Sequence, residues 1–272
     1  MSFAELAKSV AKRWVRPVVI PPVRFVVRYA PGAARRLAWR HVVEPFLQYA
    51  EHDFVATTRF GTILAGNTLD HVQRSVFYFG EWEPNVSRYV ADRLRPGDVF
   101  VDVGADIGYY SLLASTIVGP SGKVVAIEAS PKVHGLLVDN LRRNGVDNVE
   151  ARDSLDALDA LLHPSLLEKV RLVKIHGAEW LVIRGMREAL RRARTDLEIV
   201  VELSPPALRA QGTTAEEVLA VFAAARFHPY RIENDNAAVA DLDVADARPQ
   251  RLTAPISAHT EIVFSRRDAA FL

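Results

Sequence analysis

Asp98-Val99-Phe100-Val101-Asp102-Val103-Gly104-Ala105-Asp106-Ile107-Gly108-Tyr109-Tyr110 reads as a strand, a glycine turn and the start of a helix. Val99, Phe100, Val101 and Val103 form a nearly continuous β-branched and aromatic run, as expected of a parallel strand covered on both faces. The chain breaks at Gly104–Gly108, and a helix is predicted from Tyr109 to about Ile117. A strand, glycine turn and helix in that order can hold a nucleotide-like ligand at the carboxyl edge of a sheet. The glycine spacing is GxxxG rather than GxGxxG, and no Lys-Ser/Thr pair follows, which argues against a dinucleotide or a triphosphate.

About twenty residues on, Val124-Val125-Ala126-Ile127 predicts the next strand, ending on Glu128. A carboxylate at that tip can accept hydrogen bonds from both hydroxyls of a ribose. NAD and S-adenosylmethionine sites share this device. The GxxxG turn favours S-adenosylmethionine, which has no pyrophosphate to approach a second glycine. An ordinary α/β turn with a solvated Glu is the bland alternative, and the paired signal outweighs it.

The 272 residues suit one α/β domain with an accessory segment, with two small domains as the alternative. A hydrophobic content of 49% with 25% charged residues is that of an ordinary globular protein. No stretch has the apolar length of a membrane span. Cysteine is absent, which excludes disulfides, thiolate metal sites and cysteine nucleophiles and fits a cytoplasmic protein.

The net charge of +1 hides an asymmetry: residues 1–45 carry nine Lys and Arg against Glu5 and Glu44, leaving 25 basic and 31 acidic residues elsewhere. Phe3, Leu6, Val10 and Trp14 interleave with the basic residues, and Pro17, Pro21 and Pro22 break the run. The favoured reading is a helical extension packed on the catalytic domain or on a second subunit, so a homo-oligomer stays open. A basic amphipathic segment lying peripherally on an anionic membrane is the sharper alternative. Nucleic acid is disfavoured, because no aromatic-rich basic groove is evident.

Three segments are expected: a basic helical extension over 1–52, a hairpin and lead-in helix over 53–97, and the cofactor-binding domain over 98–272. Residues 53–79 read as strand and turn, with 54–64 a hairpin or a bent strand and Val76–Phe79 a short aromatic piece of that pattern ending at Gly80. Pro84 opens a helix to about Leu94, which sets Glu83 close to the ligand turn. Further on, strands are predicted at 148–151, 170–175, 197–203, 227–232 and 261–264. Helices are predicted at 131–144, 155–162, 179–193 and 215–225. This alternation gives an α/β fold with a doubly wound, mostly parallel sheet.

The runs VFVDVGADIGYYSLLAS, VVAIEASP, NLRRNGVDNV, VRLVKIHGAEWLVIRGM and IVVELSP, with the upstream GEWEP, resemble FkbM-type S-adenosylmethionine-dependent methyltransferases over roughly residues 50–265. The resemblance implies a seven-stranded, Rossmann-like class I methyltransferase sheet and O-methylation of a small-molecule, sugar or glycolipid hydroxyl. It implies that Asp102, Gly104, Ala105, Asp106 and Gly108 line the methionine end of the cofactor, with Tyr109 in the same group. Glu128 would hold the ribose, with Ala129 and Ser130 beside the adenine and Asp153 as the adenine-side acid. Where the family reads KIDVEGAE, this chain reads Lys174-Ile175-His176-Gly177-Ala178-Glu179, two residues shorter. The link after the third strand is also short.

Methyl transfer to a hydroxyl needs alignment and a base of suitable pKa. His176, at the carboxyl end of the fourth strand, is the candidate base. Lys174 and Glu179 are the catalytic candidates beside it. No ligand spacing indicates a metal, although Asp102, Asp106, Glu179 and Glu202 could supply oxygen ligands to a divalent ion if folding gathered them. A non-catalytic S-adenosylmethionine-binding partner subunit and a nicotinamide oxidoreductase are the alternatives.

Overall fold

The computed structural model describes residues 17–154, 164–177, 179–232 and 248–272, so the helix expected at 155–162 lies outside the described residues. The chain divides into two compact units at Pro84/Asn85, inside the segment expected as hairpin and lead-in helix.

The first unit opens with helices α1 (Ile20–Tyr29) and α2 (Gly32–Ala38), followed by a π-helical turn at Trp39–Val43. Pro21 and Pro22 sit in the first turn of α1, where their missing N–H groups cost nothing. Strands β1 (Asp53–Thr57) and β2 (Ile63–Asn67) form an antiparallel hairpin in register from Asp53↔Asn67 to Thr57↔Ile63. Helix α3 (His71–Phe79) closes the unit. Ile20 and Val27 of α1 join Trp39, Val43, Phe54, Ala56 and Phe77 in one core, with the Trp39 and Phe79 rings 4.6 Å apart. Arg24 and Arg28 of α1 donate to the carbonyls of Phe77 and Thr57 at 2.8 and 2.7 Å. The basic helix α1 therefore packs on the hairpin and on α3.

Residues 76–79, expected as a strand, are the last turn of α3. The Asp70 carboxylate accepts the N–H of Gln73 at 2.9 Å, and Gly80, at φ 77°, closes the helix. Every residue from Gln73 to Phe79 is buried, so the run has no polar face to mark its helical period.

The second unit carries the large sheet. In chain order its elements are α4 (Pro84–Arg93), β3 (Val99–Val103), α5 (Tyr109–Val118), β4 (Lys123–Ile127), α6 (Pro131–Asn144), β5 (Val149–Arg152) and α7 (Pro164–Leu167). There follow β6 (Val170–Ile175), α8 (Glu179–Arg184), α9 (Arg187–Arg192), β7 (Glu198–Leu203), α10 (Pro205–Ala210) and α11 (Ala215–Ala224). The chain ends with β8 (His228–Ile232), β9 (Gln250–Arg251) and β10 (Thr260–Ser265). The strand order is β5-β4-β3-β6-β7-β10-β8-β9; β5 through β7 are parallel, and β10 runs antiparallel to both neighbours. This is the doubly wound, mostly parallel, Rossmann-like α/β sheet that was expected, with the two-residue β9 added at one edge.

All five β3 residues are buried, which explains their unbroken apolar reading. Val101, Ile127, Val173, Ile199 and Phe264 share one core. Each such side chain contributes about 1.5–3 kcal/mol when fully buried. The helix predicted over 179–193 is two helices. Tight turns from Gly185 N–H to Val182 C=O and from Met186 N–H to Ile183 C=O separate α8 from α9. Thr214 caps α11 in a capping box with Glu217.

Candidate functional site

The strand order reverses at β3, whose neighbours are β4 on one side and β6 on the other. The carboxyl ends of β3 and β6 therefore flank the crevice where open α/β sheets bind ligands.

On the β3–β4 side the turn is fastened by backbone groups. The N–H groups of Gly104 and Ala105 both donate to Ile127 C=O, at 2.9 and 3.0 Å. Gly104 has φ 74°, and a Cβ built there would lie 1.9 Å from the carbonyl oxygen of His176. Glycine is thus required twice over, by backbone conformation and by the approach of the β6 turn. Gly108, at φ 94°, starts α5, and a Cβ on it would meet Leu137 of α6 at 2.8 Å. Asn140 of α6 holds the turn from behind, donating to Ile107 C=O at 2.9 Å. Tyr109 is buried, with its hydroxyl 3.1 Å from that of Ser87.

Glu128 stands at the tip of β4 as expected. Its Oε2 accepts the N–H of Asp106 at 3.0 Å, and its Oε1 accepts the N–H of Ser130 at 2.8 Å. Asp106 itself has φ 47°, a left-handed conformation in which its N–H reaches Glu128. Ala129 and Ser130 are exposed beside Glu128, and Asp153 is exposed just past β5. The tips of β3, β4 and β5 thus carry the turn, Glu128 and Asp153 along one edge. Glu83 is fully buried, with φ 41°, and belongs to the first unit.

Beneath the turn, Asp102 is 2% exposed and accepts a 2.6 Å hydrogen bond from the Ser111 hydroxyl. Burial pushes its carboxyl up to about 6, against the opposing pull of Ser111, Lys174 and His176. Lys174, also 2% exposed, is the register partner of Asp102 across β3–β6, and its Nζ lies 4.7 Å from the Tyr110 ring centroid. This buried lysine supports the turn from within the sheet.

On the β6–β7 side, His176 Nδ1 pairs with Oε2 of Glu202, at the carboxyl end of β7. The other oxygen, Oε1, lies 3.0 Å from Nε2 of His259, in the loop leading into β10. Burial raises the Glu202 carboxyl, but the hydrogen bond from His176 and the nearby His259 and Lys174 outweigh it, and the net shift is downward. Glu261 of β10 is the cross-strand partner of Glu202 and is 2% exposed. Ligand atoms of Glu202, His259 and Glu261 lie within 4.8 Å of one another. Of the four carboxylates considered as metal donors, Glu202 alone stands in such a group among the described residues.

Glu179 accepts the N–H of Gly177 at 2.7 Å and the side-chain amide of Gln211 at 2.8 Å. Gln211 in turn accepts the N–H of Trp180 at 2.9 Å. Glu179 therefore braces the short turn that presents His176. The sequence offers no context for His259. Only the placement of β10 antiparallel to β7, with Thr260 opposite Leu203, brings His259 to the end of β7.

The family profile of protein-L-isoaspartate(D-aspartate) O-methyltransferases matches residues 84–155, the stretch from α4 through β5. Protein-L-isoaspartate O-methyltransferase 2 of Archaeoglobus fulgidus is 42% identical over 57 residues, 21% of this chain and 26% of that protein. Arsenite methyltransferase of Halobacterium salinarum is 32% identical over 59 residues, 22% of this chain and 15% of that protein. The matched stretch thus spans about a quarter or less of these curated relatives. An S-adenosylmethionine-dependent O-methyltransferase structure from Thermotoga maritima superposes with a TM-score of 0.45 at 16% identity, over 79% of each chain.

Proposed function

We propose that this chain is an S-adenosylmethionine-dependent methyltransferase of the FkbM type that methylates a hydroxyl of a small molecule or glycoside. The observation that carries the reading is Glu128, held at the tip of β4 by the N–H groups of Asp106 and Ser130. A carboxylate is an acceptor only, with about four lone-pair positions. Two of them are used by the backbone, and the remaining two suit the vicinal hydroxyls of a ribose. The glycine turn before it, whose spacing leaves no place for a pyrophosphate, suits the rest of S-adenosylmethionine.

Bound S-adenosylmethionine supplies an electrophilic methyl group on a sulfonium, already a good leaving group. The protein's work is then to align the acceptor and take its proton. Glu202 accepts from Nδ1 of His176, which keeps the proton on that nitrogen and leaves Nε2 with a lone pair. Nε2 would take the acceptor's hydroxyl proton, and bound S-adenosylmethionine would supply the methyl group to that oxygen. Glu202 positions the imidazole and stabilises its cationic form; Glu179 holds the turn.

Isothermal titration with S-adenosylmethionine and with NAD tests the cofactor: the first is expected to bind and the second not. Methyl transfer to a panel of glycosides and small alcohols tests the reaction. Binding without transfer to any acceptor would favour the non-catalytic reading, and NAD binding alone would overturn both.

A further inference from the structure

Helix α1 is apolar on two opposite faces. At 3.6 residues per turn, Ile20 and Val27 project to one side and enter the core of the first unit. Val18, Pro22, Phe25 and Tyr29, spaced four, three and four apart, project about 180° away. Phe25 is 65% and Tyr29 67% exposed, and their rings pack 5.3 Å apart. Leu37, Phe46 and Tyr49 of the same segment are also exposed. Two aromatic rings held against each other in water are a feature that folding of this unit does not use.

The segment that carries this stripe is strongly basic. Between residues 17 and 49 stand Arg24, Arg28, Arg35, Arg36 and Arg40 against the single acid Glu44. The Arg28 guanidinium lies 5.7 Å from the Tyr29 ring centroid, and Arg40 is exposed. Residues 1–16 carry the same chemistry in sequence, with Phe3, Leu6, Val10 and Trp14 among Lys8, Lys12, Arg13 and Arg16. Aromatic residues flanked by arginines at this density match the boundary between acyl chains and anionic headgroups. A protein partner would have to present both an apolar slot and a strongly acidic rim; a bilayer with anionic lipid offers both without shape.

We propose that the exposed pair Phe25 and Tyr29, within the basic segment that also carries Arg36 and Arg40, docks the chain peripherally on an anionic lipid bilayer. No helix among the described residues is long and apolar enough to cross a membrane, so the contact is interfacial. The proposal stands on the first unit alone and does not depend on methyl transfer.

The test is co-sedimentation of the full chain with vesicles of phosphatidylcholine, alone or with about one-third phosphatidylserine. Binding is expected to the anionic vesicles only, and to weaken at about 1 M salt, where the screening length is about 3 Å. Arg36→Gln with Arg40→Gln is expected to weaken it about 30-fold. Phe25→Ser with Tyr29→Ser is expected to weaken it at least tenfold while leaving the unfolding temperature unchanged, since both residues are exposed. Absent binding, or equal binding to both vesicle types, overturns the proposal. It is also overturned if vesicle binding survives both double variants while a concentration-dependent dimer is lost, which would assign the stripe to a second copy of the chain. Should the aromatic pair destabilise the fold, the arginine pair still decides the matter.

Discussion

The two sides of the sheet's carboxyl edge are fastened by different means. Between β3 and β4, backbone N–H groups do most of the binding: Gly104 and Ala105 donate to Ile127, while Asp106 and Ser130 donate to Glu128. Between β6, β7 and β10, side chains hold side chains, with Glu202 joining His176 to His259. A turn fastened by its own backbone is rigid and suits a cofactor of constant shape. A site made of ionisable side chains on three strands can change residue by residue, and its protonation can change with pH. On the proposed function, the first side binds the cofactor and the second carries the reaction.

The largest expected effect separates those two roles. His176→Gln is expected to lower methyl transfer by about 10²–10⁴-fold, the usual contribution of a positioned base. S-adenosylmethionine affinity, measured by titration, should stay within a factor of about two, because the proposed ribose contact lies on the β4 side. An equal loss of binding and rate would erase the division. Next in size is Gly104→Ala, which pushes a methyl group to 1.9 Å from the His176 carbonyl at φ 74°. A destabilisation of about 3 kcal/mol or more is expected in denaturant unfolding, from strain plus overpacking. Gly177→Ala, at φ 73° with no atom within 4 Å of the added Cβ, should cost only about 1 kcal/mol. Equal costs would mean that the β3 and β6 turns do not press on each other.

The β3–β4 side was legible in the sequence because its contacts follow one chain segment. The apolar run 99–103, the glycines at 104 and 108 and the acid at 128 belong to a single β–α–β unit, whose geometry is the same wherever it occurs. The β6–β10 side was legible only at His176. Glu202 and His259 are 57 positions apart, and nothing local says that the last strand will insert antiparallel beside β7. Lys174 is a catalytic candidate beside His176 in the sequence; the β3–β6 register sets it opposite Asp102, buried, with its Nζ near the Tyr110 ring. The misread helix α3 failed for another reason. A run buried on every side has no periodicity to display, and its caps, Asp70 and Gly80, were the better signal.

Smaller than these is the loss expected of Glu128→Ala. Removing an ionised acceptor of ribose hydroxyls should weaken S-adenosylmethionine binding by about 1.5–3 kcal/mol, about 10- to 100-fold in Kd. Glu128 also fastens Asp106 and Ser130, so part of that loss would come from a loosened turn. Glu128→Gln divides the two: its amide carbonyl can still accept one backbone N–H, but a neutral group binds hydroxyls less strongly. An unchanged Kd in both variants would remove the cofactor assignment from the β4 tip.

The least effect per unit of pH, and the finest division between the two sides, comes from the carboxylates beneath them. Burial raises Asp102 to about 6, so between roughly pH 4 and 6 the folded chain holds a proton that the unfolded chain has released. Stability attributable to Asp102 therefore falls as pH rises through that window and is level above it. Glu202 is shifted the other way, burial being outweighed by His176, His259 and Lys174. Its contribution is present above the ordinary carboxylate range and is lost as pH falls through its lowered folded pKa. Each slope is bounded at about 1.4 kcal/mol per pH unit for one proton. Urea unfolding from pH 3 to 8 reads them separately, since Asp102→Asn should flatten the fall between about pH 4 and 6, and Glu202→Gln should remove the loss at the acid end. A wild-type curve that neither variant changes would mean that water reaches both groups. The β3 side would then owe its rigidity to its backbone bonds alone, with no contribution from the proton on Asp102.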